Sequence, residues 1–272
     1  MDPVGLWSEV KLAIIRDYLP AYSKLVTGYN FYHLYIDGFA GFGLHESRAT
    51  GDVIQGSPLI ALNTVPPFKE YHFIDKDPAR VAQLRSYAPD RRDVHVHEGD
   101  CNQVVPDILP RARRQDYKRA LCFLDPYGID IHWGLVQSLG ELKSAEIFLN
   151  FMVMDMNMNV LLHHPEKALA SQVERMNRFW GDESWRTVIY TSQTTLFGTD
   201  TQVKLADSNA KIAEAYRKRL KEVAGFEFVP PPLPFLNDIG ATIYYLFFAS
   251  PNKTGHKIVG EIFEKYRRSQ GL

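Results

Sequence analysis

Asp125, Pro126 and Tyr127 stand together in the stretch FLDPYG, 123–128, where an apolar run ends in turn-forming residues. An exocyclic amine on a base is a weak nucleophile because its lone pair is delocalised into the ring, so a catalyst must localise that pair and aim it. The Asp125 carboxylate and the Pro126 carbonyl can each accept an amine hydrogen, and Tyr127 can stack on the ring. Proline fixes the turn and leaves its carbonyl pointing outward. The bland alternative is a plain turn, since Asp, Pro and Gly all favour turns. Asn150, at the end of a later apolar run, is a secondary polar contact of the same kind.

Three other stretches carry acids or glycines at the ends of apolar runs. In DGFAGFG, 37–43, the residues Asp37, Gly38, Phe39, Ala40, Gly41 and Gly43 form a small-residue loop whose backbone can approach a ligand closely. Asp75 in FIDKD can accept hydrogen bonds from two ribose hydroxyls, and Asp100 in EGDCN can meet an adenine amino group while the Cys101 amide faces a ring nitrogen. Helix capping competes for both acids. Asp77-Pro78 is the better capping pair, which leaves Asp75 for a ligand, whereas both readings stand for Asp100. A dinucleotide would need the glycine turn to run straight into a helix N-terminus, but 42–56 reads as a long polar loop before Ser57-Pro58. S-adenosyl-L-methionine has no pyrophosphate and makes no such demand. It is the expected cofactor, with its methionine part along Asp37 to Gly43, and the segment 42–56 is expected to gate it. Lys11, polar on an apolar helix, would meet the cofactor carboxylate or else snorkel to solvent.

Elements must bring these residues together. Apolar runs near 32–36, 70–75, 94–98, 120–125 and 145–151 read as strands, with crossover helices at 58–65, 78–87 and 102–115. Alternation of this kind predicts an α/β fold with a mostly parallel Rossmann-like sheet and helices on both faces. Ligands of such sheets bind beyond the carboxyl ends of the strands, where the marked residues lie. Helical spacing within 1–30 predicts one or two helices broken at Pro20. A mostly helical insertion or lid is expected over 155–224, with a short strand at 187–191. An antiparallel C-terminal hairpin follows from strands at 226–229 and 241–249 around a proline-rich turn, and then a helix from Thr254 to Arg268. One domain over 1–272 is expected, because 45% hydrophobic residues can bury one large core.

A formal net charge of -1 argues against a strongly basic nucleic-acid-binding surface, so any basic face must be local: Arg91-Arg92, the Arg111 to Arg119 run, or Lys265, Arg267 and Arg268. Cys101 and Cys122 read as reduced core thiols, and the nine histidines show no ligand-like spacing, so no metal is implied. Neither a signal core nor a membrane-length apolar stretch is present, and a cytoplasmic protein with no membrane contact is expected.

With KLAIIRDYLPAY at 11–22, YIDGFAGFG at 35–43, GSPLIAL at 56–62, FIDKDP at 73–78, GDCN at 99–102, FLDPYG at 123–128 and FFAS at 247–250, the chain resembles the bacterial three-Cys-motif partner (TcmP) family along nearly its whole length. The resemblance implies a methyltransferase fold, S-adenosyl-L-methionine as cofactor, and a protein partner encoded nearby that carries the three-cysteine motif. The Asp-Pro-Tyr-Gly stretch is similar to the acidic-Pro-Pro-aromatic motif of amino-methylating DNA and RNA enzymes, and closer to the Asp-Pro-Phe-Gly of tRNA guanine-N2 methyltransferases. It lacks the second proline of the DNA enzymes, which favours an amine of RNA over one of DNA. Three activities follow as expectations: an N-methyltransferase for a nucleic-acid base amine, a methyltransferase for a small molecule or partner protein, and a non-catalytic cofactor-binding partner.

Overall fold

A computed structural model of the chain describes residues 2–194, 200–237 and 239–270. Its centre is a seven-stranded sheet: β1 (Tyr32–Asp37), β2 (Glu70–Asp75), β3 (Val94–Glu98), β4 (Lys118–Leu124), β5 (Ala145–Phe151), β6 (Leu233–Leu236) and β7 (Thr242–Ala249). Across the sheet the order is β6-β7-β5-β4-β1-β2-β3. β1 to β5 run parallel, and β7 inserts antiparallel between β5 and β6. The chain order reverses between β1 and β4, the switch point where such sheets open a crevice.

Side chains alternate across the pleat, so each face of the sheet builds its own core. Leu34 and Ile36 join the cluster that holds Val105, Val136, Met176 and Tyr216, while Tyr35 joins the one that holds Ile15, Ile60, Leu84 and Phe263. Helices therefore cover both faces. On the second lie α1 (Leu6–Gly28), α2 (Ser57–Leu62), α3 (Pro78–Ser86) and the C-terminal helix Lys253–Gln270. On the first lie α4 (Cys101–Ile108) and α5 (Trp133–Glu141), joined by α7 (Ala170–Trp180) and α9 (Ser208–Glu222) from the expected insertion. Between β5 and α7 sits α6 (Val153–Asn159). Residues 195–199 of the insertion lie outside the described residues. Among the described residues no helix is long and apolar enough to cross a membrane.

Several sequence expectations are corrected. α1 is one helix with Pro20 inside it, not two broken there. Arg16, Asp17 and Pro20 lie on the exposed side, where water can satisfy the carbonyl that proline leaves bare, and buried Tyr18, Leu19 and Tyr22 hold the other side down. The loop 42–56 is not irregular: Leu44–Ser47 pairs with Val53–Gln55, and Asp2–Val4 adds a third strand. The strand expected at 187–191 is helical over Trp185–Ile189 (α8), and a strand follows at Tyr190–Thr194, paired with Asp200–Lys204. Phe228 makes one isolated bridge to Ser250, and the second strand of the terminal pair is instead β6. Pro234 is tolerated there because β6 is an edge strand with one side unpaired.

Candidate functional site

A cavity of about 500 Å³ opens at the switch point, a size typical of small-molecule sites. It brings together residues that are far apart in sequence: Lys11 and Trp7 of α1, Gly38 to Gly41, Asp75, Cys101, Asp125 to Tyr127, Asn150 and Tyr244.

Asp125 sits just past β4 and takes two donors on one oxygen. Lys11 Nζ lies 2.5 Å from Asp125 Oδ1, and Asn150 Nδ2 donates to the same atom at 2.8 Å. Lys11 does not snorkel: only 6% of it is exposed, and its ammonium also lies 5.3 Å from the centre of the Tyr244 ring. That ring is fixed by its hydroxyl, which donates to the Trp7 carbonyl at 2.9 Å. Asn150 Oδ1 is buried and has no partner, a costly state that a donor on a ligand would relieve. Tyr127 is 73% exposed at the rim, beside Arg80 whose guanidinium lies 5.8 Å from its ring centre.

The loop after β1 is shaped by both neighbouring strands. Gly38 donates to the Phe123 carbonyl of β4 and Ala40 to the Ile74 carbonyl of β2, each at 2.9 Å. A side chain at Gly38 would press within 2.9 Å of Leu124, so the glycine is required by close approach. Gly41, at φ +61°, donates to Asp75 Oδ2 at 2.9 Å. The other Asp75 oxygen accepts from the Asp77 amide at 2.9 Å, while Asp77 itself caps α3 through Ala79. Asp75 therefore braces the loop from the cavity edge and keeps further acceptor capacity on each oxygen. Gly43 points away from the cavity, under the Tyr87 ring.

Asp37 and Asp100 lie off the cavity lining. Asp37 is wholly buried beneath the loop, accepting from the Phe39 amide at 3.2 Å and the Tyr35 hydroxyl at 3.3 Å. Burial pushes its carboxyl up to about 7, against the pull of the Ser57 and Phe39 hydrogen bonds. Asp100 caps α4 through the Asn102 amide at 2.9 Å and pairs with Lys76 at 3.1 Å, so in this state it performs the capping role. Cys101 does line the cavity, and burial pushes its thiol up to about 12, which holds it in the neutral form near neutral pH.

The sequence did not point to the residues that hold the Asp-Pro-Tyr-Gly turn. Asp155 of α6 accepts from the Ile129 amide at 2.9 Å and pairs with Arg175 of α7 at 2.7 Å. Arg175 also reaches Asp130 at 3.1 Å. Gly128 packs against this pair so closely that a Cβ there would fall 2.2 Å from Arg175 and 2.6 Å from Asp155. Asp155 lies in a methionine- and asparagine-rich stretch with no motif to mark it. Of the basic residues marked in the sequence, Arg91 pairs with Asp93, Arg111 with Glu70, Lys265 with Asp17 and Arg267 with Glu264.

No protein-family model matches the chain, and no curated protein matches it. Among solved structures, protein LPL1258 of Legionella pneumophila, from the DUF519 family, is similar at 13% identity over 93% of this chain and 89% of that one, with a TM-score of 0.52. A putative methyltransferase from Thermobifida fusca aligns at 11% identity over 89% of this chain and 81% of that one, with a TM-score of 0.39. The trans-methyltransferase CalH, in complex with SAH, aligns at 13% identity over 89% and 58%, again with a TM-score of 0.39. The likeness of fold rests on the first.

Proposed function

We infer that the chain is an S-adenosyl-L-methionine-dependent N-methyltransferase acting on an exocyclic amine of a nucleic-acid base, RNA in preference to DNA, as its resemblance to the three-Cys-motif partner family implies for the fold and cofactor. The observation that carries this reading is the Asp125 carboxylate, held at the cavity by Lys11 and Asn150 through Oδ1 alone. Its Oδ2 keeps its capacity for an amine hydrogen, and Tyr127 presents an exposed ring beside it for stacking. The residues also fit the cofactor: a carboxylate at the end of β2, a glycine loop open to the cavity, and a partnerless buried amide oxygen that can take an ammonium hydrogen. When bound, the cofactor supplies an electrophilic methyl group. Asp75 and the Gly38 to Gly41 backbone hold one reactant, while Asp125, Pro126 and Tyr127 orient the other, so catalysis rests on proximity and alignment. Negative charge on Asp125 stabilises the positive charge that grows on the amine. Lys11 opposes this while it stays on Asp125, and a ligand carboxylate would draw it away.

The paired surface arginines and lysines and the net charge of -1 favour a second reading, a methyltransferase for a small molecule or for a protein partner bearing a three-cysteine motif. A cofactor-binding partner without turnover is the third. Transfer of labelled methyl groups into a fractionated bacterial extract separates them. Label is expected in RNA; label only in protein or small molecules establishes the second reading, and cofactor binding with no labelled fraction establishes the third.

A further inference from the structure

At the opposite end of β2 from Asp75, the sheet carries a cluster that the transfer site does not use. Glu70 and His72 of β2 and His95 and His97 of β3 project from the same face, because the strands run parallel with His72 opposite His95. His72 Nε2 lies 2.9 Å from Glu70 Oε1, and His95 Nε2 lies 3.5 Å from the same oxygen. The three ligand atoms of Glu70, His72 and His95 all fall within 4.8 Å of one another. The imidazole of His72 stacks on those of His95 and His97, at centroid distances of 4.9 and 5.3 Å. Glu70 is already satisfied by Arg111, whose Nε lies 2.5 Å away, and by the Tyr32 hydroxyl at 3.1 Å. Three imidazoles are therefore surplus to the neutralisation of one carboxylate.

We propose that Glu70, His72 and His95 form a binding site for a borderline divalent metal ion such as zinc, closed by water on the side where His95 meets solvent. Tetrahedral zinc with ligand bonds of about 2.0–2.1 Å places its ligands about 3.3 Å apart, which the 2.9 and 3.5 Å separations bracket. Two imidazoles and one carboxylate with an open fourth position form a known zinc ligand set. His97 supplies the outer contact such ligands need: its Nε2 lies 3.0 Å from His72 Nδ1, so when an ion displaces the Nε2 proton that now faces Glu70, His72 can donate from Nδ1 to His97 and turn its Nε2 lone pair to the metal. Arg111 is the competitor, and its side chain, 52% exposed, can withdraw to solvent. The ligands on β2 lie three to five residues from Asp75, about 10–17 Å at strand rise, so the site's effect falls on the edge strand β3 and not on the transfer cavity.

The test uses the full chain without a histidine tag, stripped with chelator and titrated with Zn2+ by calorimetry and with Co2+ by visible absorption. One saturable equivalent is expected, with ligand-field bands for Co2+ and a higher melting temperature. His95→Ala, a partly exposed position that tolerates truncation, should weaken Zn2+ by at least about 10-fold. Arg111→Ala, which removes the competing cation, should tighten it. Absence of a saturable equivalent, unchanged affinity in His95→Ala, or loss of binding in Arg111→Ala would overturn the proposal.

Discussion

Asp125 and Asp75 are both carboxylates at the carboxyl end of a parallel strand, yet their surroundings differ. Asp75 holds the Gly41 amide and the turn into α3, interactions equally present whatever stage a reaction has reached, so its loss is a loss of uniform binding. Asp75→Ala should weaken cofactor binding by about 10-fold or more before it affects turnover. In the proposed reaction Asp125 faces the acceptor, and the charge it would stabilise exists only as the bond forms. Asp125→Ala should abolish transfer, but it also strands the buried Lys11 ammonium without a partner, a penalty of about 3–5 kcal/mol. Asp125→Asn is the cleaner variant, because an amide oxygen can still accept from Lys11 and Asn150. It should lower turnover by about 100-fold or more while cofactor affinity, read by calorimetry, stays near the parental value. Parental turnover in Asp125→Asn would reduce Asp-Pro-Tyr-Gly to a turn. At this scale the sequence was informative where a side chain ends a strand and uninformative about partners: nothing in the spacing of Lys11, Asp125 and Asn150 says that they meet. The histidines carry no signal in the sequence for the same reason, since His72 and His95 become neighbours only when β2 and β3 lie side by side.

Elements were legible in proportion to their apolar continuity. β1, β2, β4 and β5 are buried along most of their length and β3 is half-buried at the sheet edge, and the structure places all five within two residues of the expected bounds. The Leu44–Ser47 and Val53–Gln55 pair was invisible because its residues are mixed in polarity and mostly exposed or half-buried. β6 was hidden by the prolines that an edge strand tolerates. α6 and α7 acquire their meaning only from the fold, where Asp155 and Arg175 clamp the turn that presents Asp125 and Tyr127. Gly128→Ala tests that clamp, because its Cβ cannot enter without parting Arg175 from Asp155 and releasing the Ile129 amide. It should cost about 1–3 kcal/mol in chemical denaturation and lower turnover with little change in cofactor affinity. Full activity with parental stability would mean that the clamp is incidental.

Across the whole molecule, the face of the sheet that α1 covers buries two acids with which no cation pairs among the described residues. Asp37 lies beneath the Gly38 to Gly41 loop, and Glu146 on β5 is enclosed by the Tyr18 hydroxyl of α1 and the Ser250 hydroxyl, the latter at 2.9 Å. Burial pushes the Glu146 carboxyl up to about 7, against the pull of those two hydrogen bonds. In the unfolded chain the same group titrates near its ordinary value of about 4.3. Between these values the native state holds a proton that the unfolded state has released, so stability falls as pH rises through that window. The contribution is fully present below about pH 4 and gone above about pH 8, and it amounts to about 3 kcal/mol. His33 acts in the opposite sense: burial lowers its imidazole to about 4, so its share of stability is lost on acidification. The net curve of the parental protein therefore mixes both, and a difference between variants isolates one of them. Glu146→Gln keeps an acceptor for Tyr18 and removes the titration. Measured by urea denaturation, the parental protein should lose about 3 kcal/mol relative to Glu146→Gln between pH 4.5 and pH 8. Parallel pH profiles for the two proteins would show that Glu146 is ionised in the native state throughout, and that the enclosure between α1 and β5 admits enough water to solvate it.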